Sequence, residues 1–164
     1  MKILITGVAG FIGAALTLRL LERGDAVHGI DNLNDYYDVS LKQARLERCY
    51  AHQGFRFEKL DITDRDGMAQ LFRSSHFDVV MHLAAQAGVR YSIENPYAYI
   101  DTNLVGFGNV LEACRHGKVG HFVFVVERYK PDLSISRKVV VDDPEATALA
   151  LASAPIGPTQ LAES

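Results

Sequence analysis

The sequence predicts an α/β fold built as a doubly wound parallel sheet, and three observations carry that prediction. Short apolar, β-branched runs alternate with segments whose apolar residues recur every three or four positions. Several runs are apolar at neighbouring positions, as strands covered on both faces require. Between the first run and the first helical segment stands Gly7-x-x-Gly10-x-x-Gly13, a spacing that lets backbone approach a phosphate.

Taken in order, the first strand is KILIT (2 to 6), followed by a helix over FIGAALTLRLLERG (11 to 24). The second strand is AVHGI (26 to 30), and SLKQARLERCYAHQG (40 to 54) supplies its helix. FRFEKL (55 to 60) and RDGMAQLFRSS (65 to 75) repeat the alternation. DVVMHLA (78 to 84), a helix over YAYIDTNLVGFGNVLEACRHG (97 to 117) and HFVFVV (121 to 126) complete it. Helical segments end at Gly24, Gly54 and Gly117, and Arg23 and Arg115 stand just ahead of the first and last of these, where a cation complements the helix dipole.

Beyond residue 126 the text changes, so the domain is expected to run over 1 to 126 and a divergent tail over 127 to 164. The tail offers a short strand at KVVV (138 to 141) and an Ala-rich helix from Pro144 to about Ser153. Its end, with Pro155, Gly157 and Pro158, is expected to fray.

At 164 residues and a net charge of −3, with Lys and Arg scattered, the chain predicts one soluble domain without a nucleic-acid or anionic-membrane surface. Cys49 and Cys114 lie in helical segments in no metal-binding or CxxC spacing, and no metal is expected. No apolar run approaches the ~20 residues of a membrane span, and the start carries no leader, so a cytoplasmic location is expected.

The glycines make the fold Rossmann-like. Gly7 permits the tight turn, Gly10 lets the backbone come close to a pyrophosphate, and Gly13 lets the helix pack on the strand. Asp31, eighteen residues after Gly13, ends the second strand where a carboxylate accepts from adenosine ribose hydroxyls and repels a 2′-phosphate, which favours NAD over NADP. Asp61 and Ile62 would put a carboxylate and an apolar wall where an adenine could lie; Asp61 and Thr63 read equally as helix-start residues. HLAAQAGVR (82 to 90) ends the fourth strand in small residues, with Gln86 and Arg90 beyond. Arg90 is either a partner for a substrate carboxylate or phosphate or a surface arginine.

TGVAGFIG, DNLNDYYDVSLKQARL and FDVVMHLAAQAGVRYSIENPYAYIDTNLVGFGNVLEACR together resemble the amino-terminal half of the extended short-chain dehydrogenase/reductase superfamily. Within it, the NAD-dependent epimerase/dehydratase family and the UDP-glucuronate 4-epimerases are most similar, from Met1 to about Val125. The resemblance implies a tightly held NAD that takes hydride from C4 of a UDP-linked sugar and returns it to the other face. It implies cofactor contacts at Gly7, Gly10, Phe11, Ile12, Gly13, Asp31, Asn32, Asp61, Ile62, Leu83, Ala84, Ala85 and Asn103. It also implies that Gln86 and Arg90 border a sugar-nucleotide pocket, with a UDP-sugar as a weakly held partner.

The same family continues past its fifth strand with a serine-rich segment, a Ser or Thr on the sugar hydroxyl, and a Tyr-x-x-x-Lys pair for proton transfer. Here Ser40, Leu41, Gly54, Asn95, Asp101, Asn103 and Leu133 stand four positions after the seven tyrosines, and none is a lysine. Tyr129 and Lys130 are adjacent, about 100° apart on a helix, and cannot reproduce that geometry. No catalytic residue is therefore assigned, and the chain is expected to be a truncated domain without the substrate domain, inactive alone. If Phe124 to Glu127 were encoded TTC GTC GTC GAG, the next reading frame would give serines, so a frameshifted gene is one alternative. A non-enzymatic dinucleotide-binding or interaction module is another, and homo-oligomers through exposed apolar surface are expected.

Overall fold

The computed structural model describes residues 1–129 and 135–142. In chain order they form β1 (Lys2–Thr6), α1 (Phe11–Glu22), β2 (Ala26–Asp31), α2 (Val39–Tyr50), β3 (Phe55–Lys59) and α3 (Arg65–Ser74). There follow β4 (Val79–His82), α4 (Val89–Glu94), α5 (Pro96–Ile100), a π turn (Asp101–Gly106), α6 (Phe107–His116), β5 (His121–Tyr129) and β6 (Ile135–Asp142).

The sheet order is β3-β2-β1-β4-β5-β6, with β1 to β5 parallel and β6 antiparallel to β5. Thr6 pairs with Ile30 on one side and His82 on the other, which brings the ends of β1, β2 and β4 to one edge. β5 pairs with β4 only through Phe124 and with β6 alone beyond it. Strand side chains alternate between two cores. Leu4, Ile30, Val80 and Phe122 pack with Met68, Leu71, Val110 and Cys114 of α3 and α6, and Ile3, Ile5, Val27 and Phe55 pack with Leu20, Leu21, Leu46 and Cys49 of α1 and α2. Both cysteines are buried and free.

Three features depart from the sequence reading. The helix expected over 97 to 117 is broken by the π turn, and the short α4 precedes it. The strand read at 138 to 141 belongs to the longer β6, which adds an antiparallel edge to the expected parallel sheet of β1 to β5. Only residues 130–134 separate β5 from β6, too few for the crossover of a dozen or more that a parallel pair needs. The helix read from Pro144 and the end expected to fray lie outside the described residues. Among the described residues no helix is long and apolar enough to cross a membrane, and no cluster of three metal-ligating side chains occurs.

Candidate dinucleotide site

The turn after β1 is tied to the neighbouring strand, for Gly7 N and Val8 N both donate to Ile30 O at 2.8 and 3.2 Å. Gly7 sits at φ +71°, and a Cβ there would stand 2.8 Å from Ala84 N; a Cβ at Gly13 would fall on the Gly7 carbonyl oxygen. Side chains at either position would push α1 and the β4 loop away from β1. The first helical bond of α1 runs from Ala14 N to Gly10 O, 3.0 Å, so the N–H groups of Phe11, Ile12 and Gly13 precede any intrahelical partner. No side chain caps this terminus and no acid stands in its first turn, whereas Asp38 caps α2 and Asp64 caps α3. Those free donors and the helix dipole suit an anion.

Asp31, at the end of β2, is 8% exposed. Its Oδ2 accepts from Ala9 N at 3.2 Å, and its Oδ1 accepts from Leu33 N at 2.9 Å and lies 3.4 Å from Lys42 Nζ. Three of about four acceptor positions are taken, and the carboxylate keeps room for one more donor. Lys42 is itself buried on α2, donates to Asn34 Oδ1 at 2.7 Å and lies 5.0 Å from the centre of the Tyr37 ring. Arg45 reaches Ala9 O at 3.2 Å and the Tyr37 hydroxyl at 3.1 Å.

The next loop is fastened to this one. Asn32 Nδ2 donates to Asp61 Oδ2 at 2.8 Å, and Asp61 Oδ1 accepts from Thr63 N and Oγ1 at 2.8 and 2.7 Å. Burial alone would raise the Asp61 pKa, but the bonds from Asn32 and Thr63 outweigh it and leave it below the ordinary value. Asp61 is thus a turn-forming carboxylate after β3, while the cap of α3 is Asp64 rather than Asp61 or Thr63. Ile62 is buried, and Asn109 of α6 donates to the carbonyls of Ile62 and Thr63 at 3.0 and 3.2 Å, which fixes the turn from below.

On the far side, Thr6 Oγ1 accepts from Leu83 N and Ala84 N at 3.2 and 3.1 Å and contacts His82 Nδ1 at 2.8 Å. These bonds hold the small segment Leu83, Ala84, Ala85 against β1. Gln86, also buried, exchanges two bonds with Asn103, N to Oδ1 at 2.8 Å and O to Nδ2 at 2.9 Å. The Asn103 amide is engaged with this backbone, and Arg90 is exposed on the first turn of α4. The residues named from the sequence therefore come from the loops after β1, β2, β3 and β4, the first turns of α1 and α4, the end of β2 and the π turn.

Thr6, Lys42, Asn34 and Asn109 were missed. Lys42 had a signal, since with Leu46 and Cys49 it continues the buried face of α2. Asn109 and Thr6 had none, because the partners of their side chains lie 44 or more residues away.

A free helix terminus over a glycine cradle, a buried acid one strand away and small residues on the other side make the domain Rossmann-like, of the extended short-chain dehydrogenase/reductase class. Residues 4–126 match the family described as GDP-mannose 4,6 dehydratase, and the chain belongs to that family. It is 59% identical over 124 residues to an uncharacterized 37.6 kDa protein in the cld 5′ region of Escherichia coli O111:H-, covering 76% of this chain and 37% of that protein. Identity to UDP-glucuronate 4-epimerase 4 of Arabidopsis thaliana is 50% over 116 residues, 69% of this chain and 26% of the relative. The solved UDP-glucuronic acid 4-epimerase from Bacillus cereus in complex with UDP-glucuronic acid and NAD superposes with a TM-score of 0.71 and 33% identity, covering 82% of this chain and 45% of that one. This chain thus spans between 26% and 37% of the length of these curated relatives.

Proposed function

We propose that this chain binds NAD across the carboxyl edge of β1 and forms the cofactor-binding part of a nucleotide-sugar 4-epimerase acting on UDP-glucuronate. The uncapped N-terminus of α1 over the Gly7 to Gly13 cradle carries the reading. Backbone donors at Phe11, Ile12 and Gly13 suit a pyrophosphate, and the open acceptor position of Asp31, backed by Asn32, suits a ribose hydroxyl. Ile62, steadied beside Asp61 and Asn109, offers an apolar wall for adenine. Leu83, Ala84 and Ala85 permit close approach, Asn103 holds Gln86 in place, and Gln86 and Arg90 are assigned to the sugar side.

Bound NAD would supply the hydride acceptor and donor at the sugar's C4. These 164 residues contain no Tyr-x-x-x-Lys pair to move the hydroxyl proton, so the chain alone is expected to hold cofactor without turnover. Calorimetric titration with NAD and an assay of UDP-glucuronate plus NAD test the two halves separately. One-site NAD binding without product is expected. Absence of binding sinks the cofactor reading, and turnover near the ~1–10³ s⁻¹ of ordinary enzymes sinks the inactive one. Self-association belongs to the same proposal, supported by exposed Tyr97, Ile100, Leu104 and Val105 on α5 and the π turn.

A further inference from the structure

Three tyrosines outside the proposed contacts stand where two of the site's loops meet. Tyr36 lies in the loop after β2, Tyr91 in α4 and Tyr99 in α5. The Tyr36 and Tyr91 rings are 5.1 Å apart between centroids and tilted by 48°, and Tyr91 and Tyr99 are 6.2 Å apart. The Tyr99 hydroxyl donates to Ala87 O at 2.9 Å and reaches the Gly88 carbonyl oxygen, while Asn95 Nδ2 donates to the Tyr91 hydroxyl at 3.2 Å. Gly88 takes φ +102°, and a Cβ there would run into the Tyr36 hydroxyl. The loop after β4 thus lacks a side chain at the point where Tyr36 meets it.

Topology gives this contact a consequence. β2 and β4 are the two neighbours of β1, so a contact between the loops that follow them spans the end of β1, where the glycine turn begins. With the sheet as base, the ring runs from β2 through Tyr36, across to Gly88 and Tyr91, and back through Leu83 to β4. A ligand reaching from Asp31 to Ala84 and Gln86 crosses the same interval. Tyr36 is 43% exposed and belongs to neither core, so the contact can open without disturbing the packing beneath it.

We infer that Tyr36, seated on Gly88 and Tyr91, is a clasp that slows the escape of a dinucleotide from this edge. The inference rests on the NAD-binding reading and concerns retention rather than recognition. Tyr91, pinned by Asn95 and leaning toward Tyr99, is the fixed side of the clasp, and Tyr36 is the side that moves.

Stopped-flow displacement of bound NADH by excess NAD tests it, in the whole chain and in Tyr36→Ala and Tyr91→Leu variants. Loss of the aromatic contact is expected to speed NADH release about 5-fold and to speed association as well. The melting temperature of ligand-free Tyr36→Ala and its affinity for AMP are expected to match the parent. If the parent binds NADH and both variants release it at the parental rate, the clasp is overturned. A matching loss of AMP affinity overturns it too, because Tyr36 would then touch the adenosine directly. A parent chain that takes up no NADH overturns the NAD reading, and the clasp with it.

Discussion

Thr6 has one hydroxyl proton and two lone pairs, and its surroundings decide where each goes. Ala84 N donates to one lone pair and Leu83 N divides its proton between the other and the Thr6 carbonyl, which favours a hydroxyl proton on His82 Nδ1 and a neutral imidazole with its hydrogen on Nε2. His82 packs against Phe107 and Phe122, and burial pushes its pKa down to about 4. Because the folded value lies below the unfolded 6.5, the unfolded chain takes up a proton that the folded chain refuses. The stability tied to this group is complete above pH 6.5 and lost as the pH falls to about 4, in all about 3 kcal/mol. Urea unfolding of the ligand-free chain should therefore show a loss of about 2 kcal/mol from this histidine between pH 7.5 and 5. His82→Gln should remove that slope while leaving the contribution of His28, whose pKa burial also lowers. Equal slopes in the two proteins would refute the assignment. The glycine turn and the place of Asp31 at the end of β2 were legible in the sequence because they follow from spacing, whereas a threonine inside an apolar strand shows nothing of the histidine it serves.

Among the elements, the π turn over Asp101–Gly106 decides how the β4 loop is held. The apolar spacing of 97 to 117 continues through it, and one widened turn inside a helix leaves no local mark, so the sequence read as a single helix. The turn carries Asn103, whose amide satisfies both backbone groups of buried Gln86. Asn103→Leu should leave that peptide unpaired and destabilise the chain by about 2 kcal/mol in urea unfolding. Hydrogen exchange gives the sharper reading, since protection at the Gln86 amide should fall while Leu4 and Ile5 in β1 keep theirs. Unchanged protection at Gln86 would show that the loop is held by other contacts. The same logic explains Asn109, which reaches from α6 to the Ile62 and Thr63 carbonyls. Each asparagine turns a helix into a support for a loop that has no regular structure of its own.

For the whole molecule, the parallel direction of β1 to β5 was legible because helical segments alternate with the strands and supply the crossovers that parallel neighbours need. The direction of β6 was not, since it depends on the length of a connection whose limits cannot be read from an apolar run. The surface follows a similar division. Tyr97, Ile100 and Leu104 recur at helical spacing and are 72%, 45% and 67% exposed, with Val105 beside them at 43%. In the sequence this stripe is indistinguishable from a core-facing one, and only the structure shows that no described element covers it. Four large apolar side chains on one stretch would hold a second copy of the chain by removing that surface from water. Light scattering at rising protein concentration should show a dimer, and Leu104→Glu should return it to the monomer by placing a charge at the centre of the stripe. A parent chain that stays monomeric at the highest concentrations would mean that the exposed stripe carries no self-association.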